Sequence, residues 1–148
     1  MDMEEQMAPE ARPLEADGKR SLDNDEDRAR MAGPGLRTFF GIASEWGLPV
    51  QHQCILLGDI ARSTLHKWRN EGTGTLTRDQ LERISLVLGI YKAMKLLFAD
   101  PEVGKAWFFA PNRDWTFGNK SPLARMLSGS IDDLYAVRRY LDSWRGVR

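Results

Sequence analysis

Two helix starts lie so close together between Ser121 and Arg148 that the end of this chain can fold as little other than a helical pair. Ser121 followed by Pro122 places a hydroxyl at an N-cap and a proline at the first helical position, where its missing N–H would have had no partner. That helix is short and closes near Ser128 and Gly129. Ser130 with Asp133 has the layout of a capping box, with aspartate in place of the usual glutamate or glutamine. Beyond it Ile131, Leu134, Val137, Leu141 and Trp144 recur at spacings of three and four, which puts them on one face, and Gly146 ends the run. The opposite face carries Asp132, Tyr135, Arg138, Arg139 and Asp142, followed by Arg145 and Arg148. Such a face is either a partner surface or a solvated face with ordinary ion pairs.

The middle of the chain is equally helical. Thr77 with Gln80 is a full capping box, opening an apolar run from Leu81 to Phe98. Leu81, Ile84, Leu88, Tyr91 and Phe98 form one stripe, broadened by Val87, Ile90, Met94 and Leu97. A helix apolar on more than one face is enclosed by other helices or by a second subunit, so this run is the expected joint between two modules. Gly89 in its middle costs about 1 kcal/mol relative to alanine and allows a kink or a break. Asp100 and Pro101 start another helix, through Val103 and Trp107 to about Phe109. In the loop from Pro111 to Lys120, Trp115 and Phe117 either plug a small C-terminal core or stand out as anchors for a protein partner.

Upstream, Phe39, Phe40, Ile42, Ala43 and Trp46 form an amphipathic helix from Leu36 that Gly47 and Pro49 terminate. Val50 to Leu57 reads as a second helix with Val50, Cys54 and Leu57 inward, Gly58 marks a turn, and Ile60 to Asn70 is a third helix with Leu65 and Trp68 facing the core. Two short helices around a glycine turn are the helix-turn-helix arrangement, whose second helix enters the major groove of DNA. Its outward residues here are Arg62, Ser63, Thr64, His66, Lys67 and Arg69, a mixture of cations for phosphates and donors for base edges. A small helical bundle with a polar face is the other reading. Ala61 to Asn70 contains no acid, whereas a merely solvated helix mixes signs. His52 and His66 lie on different helices with no cysteine or carboxylate set to complete a ligand shell, so no metal, cofactor or catalytic residue is expected.

The zero net charge hides an asymmetry. Residues 1–30 hold ten acids and five bases, residues 31–148 eleven acids and sixteen bases. The first part, to about residue 35, has three of its first thirty-five positions as proline and few periodic apolar residues, and reads as a disordered acidic tail. The remainder is modestly basic, which suits an anionic partner such as DNA. A lone cysteine, Cys54, fits a reducing cytoplasm, and no apolar run has the length of a membrane span. The expected organisation is all-α: a tail over 1–35, a DNA-binding module over 36–88 and a helical module over 89–148.

From Leu88 onward the residues say more. The series L-G-I-Y-K-A-M-K-L-L-F-A-D-P-E-V, the P-N loop with F-G, S-P-L-A-R-M-L and L-Y-A-V-R-R-Y-L-D-S-W-R-G resembles the toxin-binding domain of the Xre/MbcA/ParS antitoxins. The string A-R-S-T-L-H-K-W resembles bacterial recognition helices, departing from them by one extra residue after Gly58. Together they resemble the Xre antitoxins that partner RES-domain toxins. That resemblance implies a bacterial type II antitoxin: a homodimer that binds operator DNA, represses its own operon, and occludes a toxin that degrades NAD. The contacts would come from Tyr135, Arg138, Arg139, Trp144, Arg145 and Arg148. The competing expectation is a stand-alone transcriptional regulator with a helical dimerisation or sensing module.

Overall fold

The computed structural model describes residues 22–146, and every regular element among them is a helix. In chain order these are α1 (Asp25–Trp46), α2 (Val50–Leu56), α3 (Arg62–Glu71), α4 (Arg78–Leu97), α5 (Pro101–Phe109), α6 (Pro122–Met126) and α7 (Ile131–Trp144). The all-α expectation holds, with the helix-turn-helix module first and the C-terminal module after it.

The first helix corrects the expected tail. Residues 22–35 do not extend a disordered leader: α1 starts at Asp25, and only residues 1–21 of that stretch lie outside the described part. Asn24 accepts hydrogen bonds from the amides of Glu26 (2.8 Å) and Asp27 (3.2 Å), and the acidic first turn Asp25–Asp27 suits the positive end of the helix. The acids that suggested disorder are therefore start signals. Ala32, Gly33 and Leu36 are buried, and Pro34 sits exposed inside the helix. Gly47 then adopts φ +68° and closes α1 with its amide on the carbonyls of Ala43 and Ser44.

The turn between α2 and α3 absorbs the extra residue by using two left-handed positions in a row. Gly58 has φ +95° and Asp59 has φ +64°, and the amides of Asp59 and Ile60 both reach the carbonyl of Cys54. Aspartate tolerates that region better than most side chains. Cys54 itself is buried, and burial pushes its thiol up, away from reactivity.

A single core runs the length of the molecule, and α4 is its axis. One side of α4 packs against α1, another against α7, while α5 and α6 close the C-terminal end. Both halves of the capping box at Thr77 and Gln80 form. Gly89 does not break the helix; α4 runs unbroken from Arg78 to Leu97, across the expected module boundary at 88/89. The second proposed capping box does not form. Ser130 accepts the amide of Asp132 at 3.2 Å, while the Asp133 carboxylate turns to Arg125 at 3.0 Å. Hydrogen bonding from Ser128 and the Arg125 guanidinium hold that carboxyl below its ordinary range.

Candidate nucleic-acid and partner interfaces

The recognition surface is built by two anchors. Leu65 is fully buried and Trp68 nearly so, which pins one side of α3 and leaves Arg62, Ser63, His66, Lys67 and Arg69 exposed, with Thr64 half-buried. Among the described residues neither Arg62 nor Lys67 has a carboxylate partner, so their charges are available to an anion. Arg69 differs. Its Nη2 donates to Oε1 of Gln53 at 2.6 Å, and its guanidinium lies 4.8 Å from the centre of the Phe40 ring. Gln53 is itself buried and donates to the carbonyl of Leu48 at 2.8 Å. Arg69 thus ties α3 to α1 and α2 while remaining exposed.

Two further residues of this module escape sequence reading. Gln53 shares the inward spacing of Val50 and Leu57, but its polar side chain kept it out of the apolar stripe. Gly74 lies flat on the Trp68 indole, where a β-carbon would overlap the ring. The tripeptide G-T-G at Gly72 to Gly74 carries no trace of that contact in its own composition.

The C-terminal face divides differently from the expectation. Leu134, Val137 and Leu141 are buried as predicted, but Trp144 is 67% exposed, touching Tyr140 edge-on at 6.3 Å between ring centres. Its place one turn past Leu141 carries it off the end of the packed surface. Tyr135 and Arg138 are not simply outward: the Tyr135 hydroxyl donates to Glu82, and Arg138 lies over Gly89 while pairing with Asp142 at 3.0 Å. The Glu82 carboxylate pushes the Tyr135 phenol up to about 12. Arg145 also pairs with Asp142, at 3.2 Å, Arg139 is exposed with no carboxylate partner among the described residues, and Arg148 lies outside them. Of the expected partner contacts, Arg139 and Trp144 are the ones the fold leaves unused.

The loop that held two aromatics resolves into one of each kind. Phe117 is 4% exposed, packed edge-on against Trp107 and Tyr140, whereas Trp115 is 90% exposed. A groove of about 320 Å³ runs between α1, α4 and α5, lined by Trp46, Tyr91, Met94 and Phe98. Glu45 spans its rim, accepting from Tyr91 at 2.7 Å and pairing with Lys95 at 2.8 Å, and both donors hold its carboxyl below the ordinary range. Among the described residues no helix is long and apolar enough to cross a membrane, and no cluster of three metal-ligating side chains occurs.

Comparison with known proteins matches this two-part architecture. Residues 25–89 match the antitoxin Xre-like helix-turn-helix domain, beginning at the first residue of α1. Residues 95–146 match the antitoxin Xre/MbcA/ParS C-terminal toxin-binding domain. The chain belongs to the Xre-family antitoxins. The antitoxin is also 44% identical over 120 residues, 81% of its length, to the uncharacterized protein y4oB of Sinorhizobium fredii (strain NBRC 101917 / NGR234), covering 90% of that protein. Its two functional parts therefore share α4: the DNA-binding side packs on it through α1, the toxin-binding side through α5 and α7.

Proposed function

We propose that this antitoxin belongs to a type II system whose toxin is a RES-domain protein that degrades NAD, that it neutralises the toxin by covering its active site, and that as a homodimer it represses its own operon. It acts in the cytoplasm and has no catalysis of its own. The family of toxin rests on the resemblance of the C-terminal motifs. The observation that carries the two-sided role is that one scaffold leaves two surfaces exposed: Arg62, Ser63, His66 and Lys67 on α3, and Arg139 and Trp144 on α7. Unpaired cations on α3 suit phosphates, and an exposed indole suits a protein pocket.

Co-expression with the RES-domain protein encoded beside it, followed by measurement of cellular NAD, tests the first part. The full chain should preserve NAD and co-purify with the toxin, and a chain ending at Ser143 should protect less. Equal protection by the shortened chain removes the tail from the mechanism; NAD loss despite the full chain removes the toxin assignment. The groove beside Trp46 and Tyr91 favours a second reading, a regulator that senses a small ligand between its modules. In that case DNA binding would be intact and no toxin would co-purify.

A further inference from the structure

Trp115 is the most exposed large apolar side chain among the described residues, yet the loop beneath it is held as firmly as a helix turn. The two ends of the loop are clipped together, the Asn112 amide donating to the carbonyl of Lys120 at 3.1 Å and the Asn119 amide to that of Asn112 at 2.9 Å. Inside it, the side chain of Asn112 takes the Asp114 amide and the side chain of Asp114 takes the Thr116 amide, both at 2.9 Å. The amides of Phe117 and Gly118 reach the carbonyl of Asp114 at 2.8 and 3.1 Å. Arg125 adds a hydrogen bond to the carbonyl of Thr116 while paired with Asp133 of α7. Phe117 drives the loop into the Trp107–Tyr140 cluster, and Tyr140 in turn touches Trp144.

None of those contacts requires a tryptophan at position 115. A side chain left 90% in water adds nothing to the fold, and an indole presented on ordered backbone loses little further entropy on binding. The exposed charges beside it are cationic. Arg113 and Lys120 are exposed, whereas the nearby carboxylate of Asp114 is occupied with the Thr116 amide. Trp115 lies inside the matched toxin-binding domain, and the cluster that seats its loop also seats Trp144.

We propose that Trp115 is an anchor for the toxin, entering an apolar pocket on the toxin whose rim carries carboxylates facing Arg113 and Lys120. The surface is continuous, through Phe117 and Tyr140, with Trp144 and extends the toxin contact beyond the last helix to the loop between α5 and α6. This assignment rests on the reading of the C-terminal domain as the toxin-binding part of the molecule.

The test uses the full-length antitoxin and the toxin encoded beside it, with affinity measured by titration at two salt concentrations. Trp115→Ala should leave the thermal melt and DNA binding unchanged while weakening toxin binding about 30-fold or more, the size of a hot-spot truncation. Trp115→Tyr should recover part of that loss. Arg113→Glu with Lys120→Glu should slow association, most at low salt. Toxin affinity unchanged in Trp115→Ala overturns the proposal, as does a change in oligomeric mass on light scattering, which would assign the indole to a second copy of this chain. Failure of the unaltered antitoxin to bind the toxin overturns the domain reading instead, and is seen before any variant is made.

Discussion

Arg138 of α7 lies across Gly89 of α4 so closely that a β-carbon on the glycine would overlap its guanidinium. The one residue of α4 that disfavours a helix is thus where α7 crosses, and the missing side chain is the seat of an arginine. Asp142, 3.0 Å from Nε of Arg138, holds the guanidinium in that seat.

Gly89→Ala should therefore fail to give the gain of about 1 kcal/mol that the change brings to an ordinary helix interior. In an Arg138→Ala background the gain should return. Urea denaturation of both single variants and the double variant measures the coupling, expected at about 0.5–3 kcal/mol for residues in contact. Strict additivity would show that Arg138 leaves its seat at no cost.

Tyr135 gives the antitoxin a dependence on alkaline pH. Its hydrogen bond to Glu82 raises the phenol from its ordinary value of 10.0 to about 12, so the folded state holds that proton more tightly than the unfolded one. The contribution is whole below pH 10 and is lost as pH rises from 10 to about 12. Tyr135→Phe should flatten this decline in urea midpoints and lower stability at neutral pH by about 1 kcal/mol. Some slope should remain, because Glu45 raises Tyr91 in the same direction.

Lys67 and Arg69 are neighbours on α3 with different work. Lys67→Ala should weaken binding to all DNA sequences and reduce the salt slope by about one unit. Arg69→Ala leaves Oε1 of Gln53 without its donor and uncovers Phe40, so it should lower stability by about 1–2 kcal/mol. Gel shifts across a salt series, paired with thermal melts, separate the two. Ser63→Ala, on the outer face, should alter sequence preference with little effect on the melt.

Asn24→Ala examines the beginning of α1. Loss of the side chain that caps the amides of Glu26 and Asp27 should cost about 1 kcal/mol in urea denaturation. No change would place the cooperative start of the fold further along, where the apolar pattern begins.

How much was legible depends on the range of each interaction. Thr77 and Gln80, Asp100 and Pro101, and Ser121 and Pro122 announce their helices because a cap acts within one turn. The stripe of Leu134, Val137 and Leu141 is readable for the same reason. The start of α1 was missed because an acidic first turn and an acidic tail have the same composition; the cap at Asn24 was the available clue. On the recognition helix, the exposed set Arg62, Ser63, His66 and Lys67 follows from where Leu65 and Trp68 point, but nothing near Arg69 reveals a glutamine sixteen residues earlier. Ser130 and Asp133 have capping-box spacing, and Arg125 took the carboxylate instead.

By itself the sequence determined which segments are helical, where most of them begin, and that α4 must be covered on more than one side. Those properties come from hydrogen bonds within a turn and from apolar residues recurring every three or four positions. Only the tertiary structure decided which polar side chains remain for partners. Tyr135 and Arg138 were drawn onto Glu82 and Gly89 of α4, Arg69 onto Gln53 and Phe40, while Arg139, Trp144 and Trp115 were left outward. A long polar side chain settles on whichever donor, acceptor or vacancy the packing of distant helices brings within reach, and that geometry exists only once the core has closed.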